Sequence, residues 1–312
     1  MEPVAIGSED MKSMEEASAQ HDHVASLGLI VGAGALPIEA VRLLATERIP
    51  CEVFGFDGIS DPELGFEKNR TRLGQLAALA TALTIAKVER LLIVGKFSKT
   101  LLLGSSDAIS LDEEAVRLLA GVDRLDDEGL LGAIASWLEA RGFEIARQDL
   151  LLASLLAAKG SLSARSPSES ESADLEIGRG VVDGLARAGV GQCVALRWGC
   201  VVAVEAAEGT DAMIRRAGEL AGAGATVIKV ARPGQDRRFD LPAVGPDTIE
   251  VMRQAEATGL AIEAGSTLII DAPRFRQRAD EAGIAVWGFE RPGSTRLAGG
   301  FDRASNATAE VA

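Results

Sequence analysis

The chain predicts an α/β fold, with a parallel sheet in its first half and a second α/β domain after it. Short apolar runs of strand length alternate with longer apolar patterns at helical spacing from residue 27 onward. The first of these runs feeds a glycine turn that opens a helix, a connection suited to parallel strands. At 312 residues, 47% of them hydrophobic, the chain is longer than one comfortable core and rich enough in apolar side chains to build two.

Residues 1–26 are polar and acidic without sustained periodicity and read as a flexible leader; 292–312 read as a flexible tail on the same ground. Between them the body opens on LGLIVGAGALPIEAVRLLATERI, an apolar strand, a turn at Gly32 and Gly34, and a helix. CEVFGF follows as a strand, LGQLAALATALTIAKV as a helix and RLLIVGKF as a strand. This βαβαβ order predicts parallel pairing with helices on the faces. SLDEEAVRLLAGV and DDEGLLGAIASWLEARGF read as helices, the latter capped by Asp126 or Asp127, then EIA as a short strand and DLLLASLLAAKG as a helix. SLSARSPSESESAD is serine-rich and acidic and reads as an exposed connection, so the domains are expected to span 27–157 and 158–291.

The second domain resumes with the helix LEIGRGVVDGLARAG and two strand-like runs, QCVALRW and CVVAVEA, separated by Gly199 as a hairpin. AMIRRAGELAG reads as a helix capped by Thr210 or Asp211, and TVIKVA as a strand. PDTIEVMRQAEATG reads as a helix capped by Asp247 or Thr248, with Glu250 in reach of a capping box. Strands LAIEA and TLIID, the helix PRFRQRADEAG and the strand IAVWGF complete the body.

Composition removes whole classes of function. A net charge of −14 argues against duplex nucleic acid as a partner, because phosphate backbones are bound by an excess of Lys and Arg. Three cysteines, Cys51, Cys193 and Cys200, have no CxxC spacing and imply neither a disulfide framework nor a zinc site. That fits a reducing cytoplasm. No run reaches the roughly 18 apolar residues of a spanning helix, and the acidic N-terminus is no signal peptide. The only histidines, His21 and His23, lie in the leader, which disfavours a Ser-His-Asp triad, an HExxH site and a histidine-rich dimetal centre. Carboxylates, lysine and backbone amides are left to carry the chemistry.

Four stretches have the residue types for it. GAGALP sets backbone N–H groups at a helix mouth, ready for an anion, though it is not GxGxxG and offers only Glu52 for a ribose. GKFSK puts Lys96 and Lys99 after a strand, at the edge where doubly wound sheets bind ligands. EAAEGTDAMIRR groups Glu205 and Glu208 with a helix start and Arg215 and Arg216, an arrangement for hydrated Mg²⁺ or for phosphate, with ordinary capping and surface pairing as the alternative for Arg216. The charged loop ARPGQDRRFDLPAVG interleaves Asp236 and Asp240 with Arg232, Arg237 and Arg238, so that an arginine can grip phosphate while an aspartate orients water or a metal; a purely salt-bridged loop would use the same residues.

Taken together, LGLIVGAGALP, VVAVEAAEGTDAMIRRAG, QDRRFDLPAVGPDTIE and IEAGSTLIID resemble the LpxI family of UDP-2,3-diacylglucosamine pyrophosphatases of lipid A biosynthesis, over residues 27–289. The likeness departs at GKFSKT, where members more often carry an arginine and a proline after the glycine. It implies a Rossmann-like N-terminal domain, a distinct C-terminal domain, and a lipid-linked UDP-sugar substrate held between them. The implied reaction is Mg²⁺-dependent hydrolysis, water attacking the β-phosphorus to give UMP and 2,3-diacylglucosamine 1-phosphate (lipid X). It implies an essential aspartate in the charged loop, matching Asp240 better than Asp236; Asp240 is expected to bind Mg²⁺ or orient the attacking water, with Asp236 supporting the chemistry and Glu208 as a further metal ligand. Substrate contacts are expected from Gly32, Gly34, Ala35, Leu36 and Lys96 in the first half. In the second, they are expected from Gly209, Thr210, Asp211, Lys229 and Arg238. The implied setting is the cytoplasm with transient contact at the inner-membrane surface and no obligate protein partner. A nicotinamide-dependent oxidoreductase and a non-catalytic nucleotide-binding protein are the competing classes, the first weakened by the broken glycine fingerprint and the second by the charged loop.

Overall fold

The computed structural model describes residues 26–97, 110–122 and 127–291, and the chain divides between Ala146 and Arg147 into two compact units. The leader with His21 and His23, the tail, Lys99 and Asp126 lie outside the described residues.

In the first unit β1 (Ser26–Val31), α1 (Ala35–Thr46), β2 (Cys51–Phe56), β3 (Arg70–Thr71), α2 (Leu76–Ile85) and β4 (Val88–Val94) follow one another, then α3 (Glu113–Ala120), α4 (Asp127–Glu139) and β5 (Glu144–Ile145). The five strands form one wholly parallel sheet in the order β3-β2-β1-β4-β5. β1 and β4 are near-continuous apolar runs because they are central and covered on both faces; Leu29, Leu91 and Leu92 are fully buried. Asp112 accepts from Ala115 N–H at the start of α3 and from Ala77 N–H in the first turn of α2, tying two helix mouths with one carboxylate.

The second unit runs α5 (Gln148–Leu151), β6 (Gly160–Ser161), α6 (Glu169–Arg187), β7 (Cys193–Arg197), β8 (Cys200–Val204), α7 (Thr210–Ala221), β9 (Thr226–Lys229), β10 (Ala243–Val244), α8 (Pro246–Gln254), β11 (Gly259–Glu263), β12 (Leu268–Ile269), α9 (Ala272–Glu281) and β13 (Ala285–Phe289). Six strands form a mixed sheet, β6-β13-β11-β9-β7-β8, in which β9, β11 and β13 are parallel and β6, β7 and β8 run against their neighbours. β10 and β12 make a small parallel pair. Alternation divides the large sheet's side chains: Val194, Leu196 and Ile228 pack with Leu175 and Val182 of α6, while Cys193, Ala195 and Val227 pack with Met213, Ile249 and Phe275 of α7, α8 and α9. The expected hairpin is present, with Trp198 and Gly199 between β7 and β8. Both units are thus α/β, the first built on a parallel sheet.

Local expectations change in three places. The serine-rich stretch is not a connection throughout. Helix α6 starts inside it at Glu169, where Ser168 accepts from Glu171 N–H and the Glu171 carboxylate accepts from Ser168 N–H, a reciprocal cap that outweighs the polar composition. DLLLASLLAAKG holds only the short α5 and a 3-10 turn, because Gln148 and Asp149 are drawn into contacts with residues 235–241. Those contacts go with the grouping of residues 147–157 in the second compact unit. The N-caps of α7 and α8 are Gly209 and Gly245; Thr210 turns its hydroxyl to Glu205, while Thr248 accepts from Gly245 N–H and Glu250 pairs with Arg253.

Candidate active site

The glycine turn of the first unit has two distinct reasons for its glycines. A Cβ on Gly32 would lie 2.7 Å from the Lys96 carbonyl oxygen, where the Ala33 and Lys96 backbones exchange hydrogen bonds. Gly34 caps α1 with φ of 98°, and open space lies where its Cβ would be. Gly32 therefore serves packing, while Gly34, Ala35 and the mouth of α1 face outward with exposed backbone. Gly32→Ala is expected to cost about 1–3 kcal/mol by overpacking, read as a lower urea midpoint. Lys96 is exposed and contributes its backbone to the turn. Glu52 sits at the start of β2, opposite Gly28, away from the strand end where a ribose is read; Asp57, paired with Arg70 at 3.3 Å, is the carboxylate that follows that end.

In the second unit the parallel strands β9, β11 and β13 end on one side of the sheet, and Lys229 is the last residue of β9. Only 7% exposed, its ammonium donates to Thr210 Oγ1 and to the Ala243 carbonyl, both at 3.1 Å. Among the described residues no carboxylate lies within ion-pair distance of it. Thr210 begins α7 and donates to the buried Glu205 at 2.7 Å. Gly209, at φ of 83°, leaves the space beside that helix mouth open. The sheet thus brings Lys229, Gly209 and Thr210 together as a cationic, donor-rich end, while Asp211 is exposed on the first turn. Glu208 is held differently: Arg216 binds one oxygen at 2.5 Å and Ala206 N–H the other at 3.1 Å, so Arg216 serves an ordinary surface pair.

The charged loop, residues 231–245, leaves the same side of the sheet. Its start is pinned by Ala231 N–H to the buried Glu263 at 3.0 Å and by Arg291 to the Ala231 carbonyl at 2.9 Å. Buried Phe239 and Leu241 anchor its centre, and Ala243 rejoins Lys229. The two aspartates then differ. Asp236 accepts from the Arg238 backbone and from two guanidinium nitrogens, engaging both its oxygens. Burial raises its carboxyl, but Arg238 outweighs burial and the net direction is downward. Asp240 uses one oxygen only, Oδ2, which accepts from Arg232 and, at 2.9 Å, from Gln235 Nε2. Its Oδ1 has no partner among the described residues, and the side chain is 30% exposed.

This loop is braced from far off in the sequence. Gln148 N–H donates to the Arg237 carbonyl at 2.8 Å, and Gln148 Oε1 accepts from Leu241 N–H at 3.2 Å. Beside it Asp149, fully buried, binds Arg147 and Arg237. Gln235 closes the turn by accepting from Arg232 N–H and donating to Asp240. Gln235 belongs to the charged motif itself, whereas no local pattern marks Arg147, Gln148 or Asp149.

Family models agree with this architecture along nearly the whole described chain. The model described as LpxI N-terminal domain matches residues 26–155, and the one described as LpxI C-terminal domain matches 158–287. The chain belongs to the LpxI family. A relative from Caulobacter vibrioides, described as UDP-2,3-diacylglucosamine pyrophosphatase LpxI, is 29% identical over 281 residues, covering 85% of this chain and 99% of the relative. The family assignment covers the glycine turn, the Lys229 end of the sheet and the charged loop alike. No helix among the described residues is long and apolar enough to cross a membrane.

A metal was expected on Asp240 and Glu208. Among the described residues no three His, Cys, Asp or Glu side chains gather for one. Mg²⁺ needs no such cage, since it commonly takes one or two carboxylates with water and substrate phosphates. Asp240, with an open oxygen, fits that donor set; Glu208, with both oxygens engaged, does not.

Proposed function

We propose that this chain hydrolyses the pyrophosphate bond of UDP-2,3-diacylglucosamine, water attacking the β-phosphorus to release UMP and leave 2,3-diacylglucosamine 1-phosphate. The observation that carries the reading is Asp240: one carboxylate oxygen is fixed by Arg232 and Gln235, and the other is open, within a loop that ends beside the cationic end of β9. An open carboxylate oxygen can accept a proton-bearing contact from the attacking water and orient it for in-line displacement. Lys229 and the amides at the mouth of α7 offer donors for phosphate oxygens whose charge is redistributed as the bond breaks. Alternatively, the same open oxygen would be the protein ligand of a bound Mg²⁺, which would supply charge neutralisation at the phosphates. No histidine is required, in keeping with a chain whose two histidines lie in the leader.

UMP release from UDP-2,3-diacylglucosamine, measured with Mg²⁺ and with excess chelator, tests the reaction and its metal dependence together. Unacylated UDP-N-acetylglucosamine is expected to turn over at least ~10²-fold less efficiently, because binding to remote parts of a substrate contributes to the chemical step. Equal kcat/KM for the two would contradict a lipid substrate. Oxidation of NAD(P)H by the protein would instead favour an oxidoreductase.

A further inference from the structure

Two arginines, Arg237 of the charged loop and Arg147 from outside it, share one buried carboxylate. Asp149 has no solvent exposure, and its Oδ2 accepts from Arg147 Nη2 at 2.6 Å and from Arg237 Nη1 at 2.9 Å, while Oδ1 accepts from Arg147 Nε at 2.9 Å. Arg237 Nη2 rests on Ser266 Oγ at 3.3 Å. The neighbouring arginines each have a carboxylate of their own, Arg238 at Asp236 and Arg232 at Asp240. Arg147 and Arg237 share theirs, with Asp236 acting on Arg147 only at longer range. Arg147 Nη1 and Arg237 Nε have no partner among the described residues, and the Arg147 side chain is 45% exposed. A buried anion that orients guanidiniums while leaving their outer N–H groups unused is an arrangement suited to phosphate, which matches the planar fork of donors. The Gln148 contacts couple the pair to the backbone of residues 237–241, so an anion held there is held by the same loop that carries Asp240.

We propose that Arg147 and Arg237, held by Asp149, form a binding site for a phosphate group of the substrate, Asp149 acting as the positioning residue. This rests on the diphosphate reading above, but it is tested apart from turnover with inorganic pyrophosphate as the probe. By titration calorimetry at low salt, Arg147→Ala is expected to weaken pyrophosphate binding at least ~10-fold and to raise KM for UDP-2,3-diacylglucosamine by a similar factor. kcat should change by less than ~3-fold; some stability will be lost, because Asp149 Oδ1 loses its Arg147 donor while Arg237 still neutralises Oδ2, so affinity is compared at a temperature where both proteins are folded. Arg237→Lys, which keeps the charge beside Asp149 but loses the fork, is expected to weaken pyrophosphate binding as well. Arg253→Ala, removing an exposed cation of α8, should leave it unchanged. Pyrophosphate affinity unaltered in a folded Arg147→Ala protein, or lowered equally by Arg253→Ala, would overturn the site. Arginine-dependent pyrophosphate binding by a protein that releases no UMP would retire the reaction and keep the site; UMP release with affinity indifferent to Arg147 would do the reverse.

Discussion

Asp240→Asn is expected to lower turnover of UDP-2,3-diacylglucosamine by at least ~10²-fold per folded molecule, equivalent to about 2.7 kcal/mol of transition-state stabilisation. The substitution keeps the size of the side chain and an oxygen able to accept from Arg232 or Gln235, but removes the anion from the open oxygen. Substrate binding should largely survive. Some stability will be lost with the Arg232 pair, which is partly exposed, so the melting temperature must be measured on the same sample. Asp236→Asn should behave in the opposite way. Both Asp236 oxygens are engaged by Arg238, so losing the charge weakens that pair and loosens the loop before it touches the chemistry. A less stable but fully active Asp240→Asn protein would make the charged loop a scaffold and remove Asp240 from the mechanism.

Arg165→Ala is expected to destabilise the protein by about 3–5 kcal/mol at pH 7, because it strands a buried carboxylate. Arg165 binds both oxygens of Glu171, at 2.7 and 2.9 Å, and also the carbonyls of Thr258 and Gly283. Glu171 is 5% exposed. Burial alone raises its carboxyl, but the Arg165 and Ser168 hydrogen bonds prevail and hold it at about 2, against an ordinary 4.5. A depressed carboxylate stabilises the fold above its unfolded value; in the parent protein this contribution, about 3 kcal/mol, is full above pH ~4.5 and is lost as pH falls through about 2. In Arg165→Ala burial acts unopposed by the guanidinium, so the carboxyl protonates at higher pH and the deficit should narrow between pH 7 and pH 3. Urea unfolding of both proteins at the two pH values measures this. A deficit independent of pH would mean that the lost carbonyl contacts, and not the ion pair, set the cost.

Local pattern alone determined the parallel sheet of the first unit, the β7–β8 hairpin and the concentration of charge in residues 231–245. Each is written within a few residues: apolar runs of strand length, a glycine that permits the turn, and alternation of Asp with Arg. The reciprocal cap of Ser168 and Glu171 was equally local, but serine-rich composition concealed it. Tertiary structure alone decided which aspartate keeps an open oxygen, since Asp236 and Asp240 have interchangeable arginine neighbours in the chain and different partners in space. It also decided that Asp149 joins Arg237, 88 residues away, and that Lys229 turns to Thr210 and Ala243. The physical reason is common to these cases. Periodicity and turn chemistry act between near neighbours, whereas the partner of a buried charge depends on which strand ends the sheet order brings side by side.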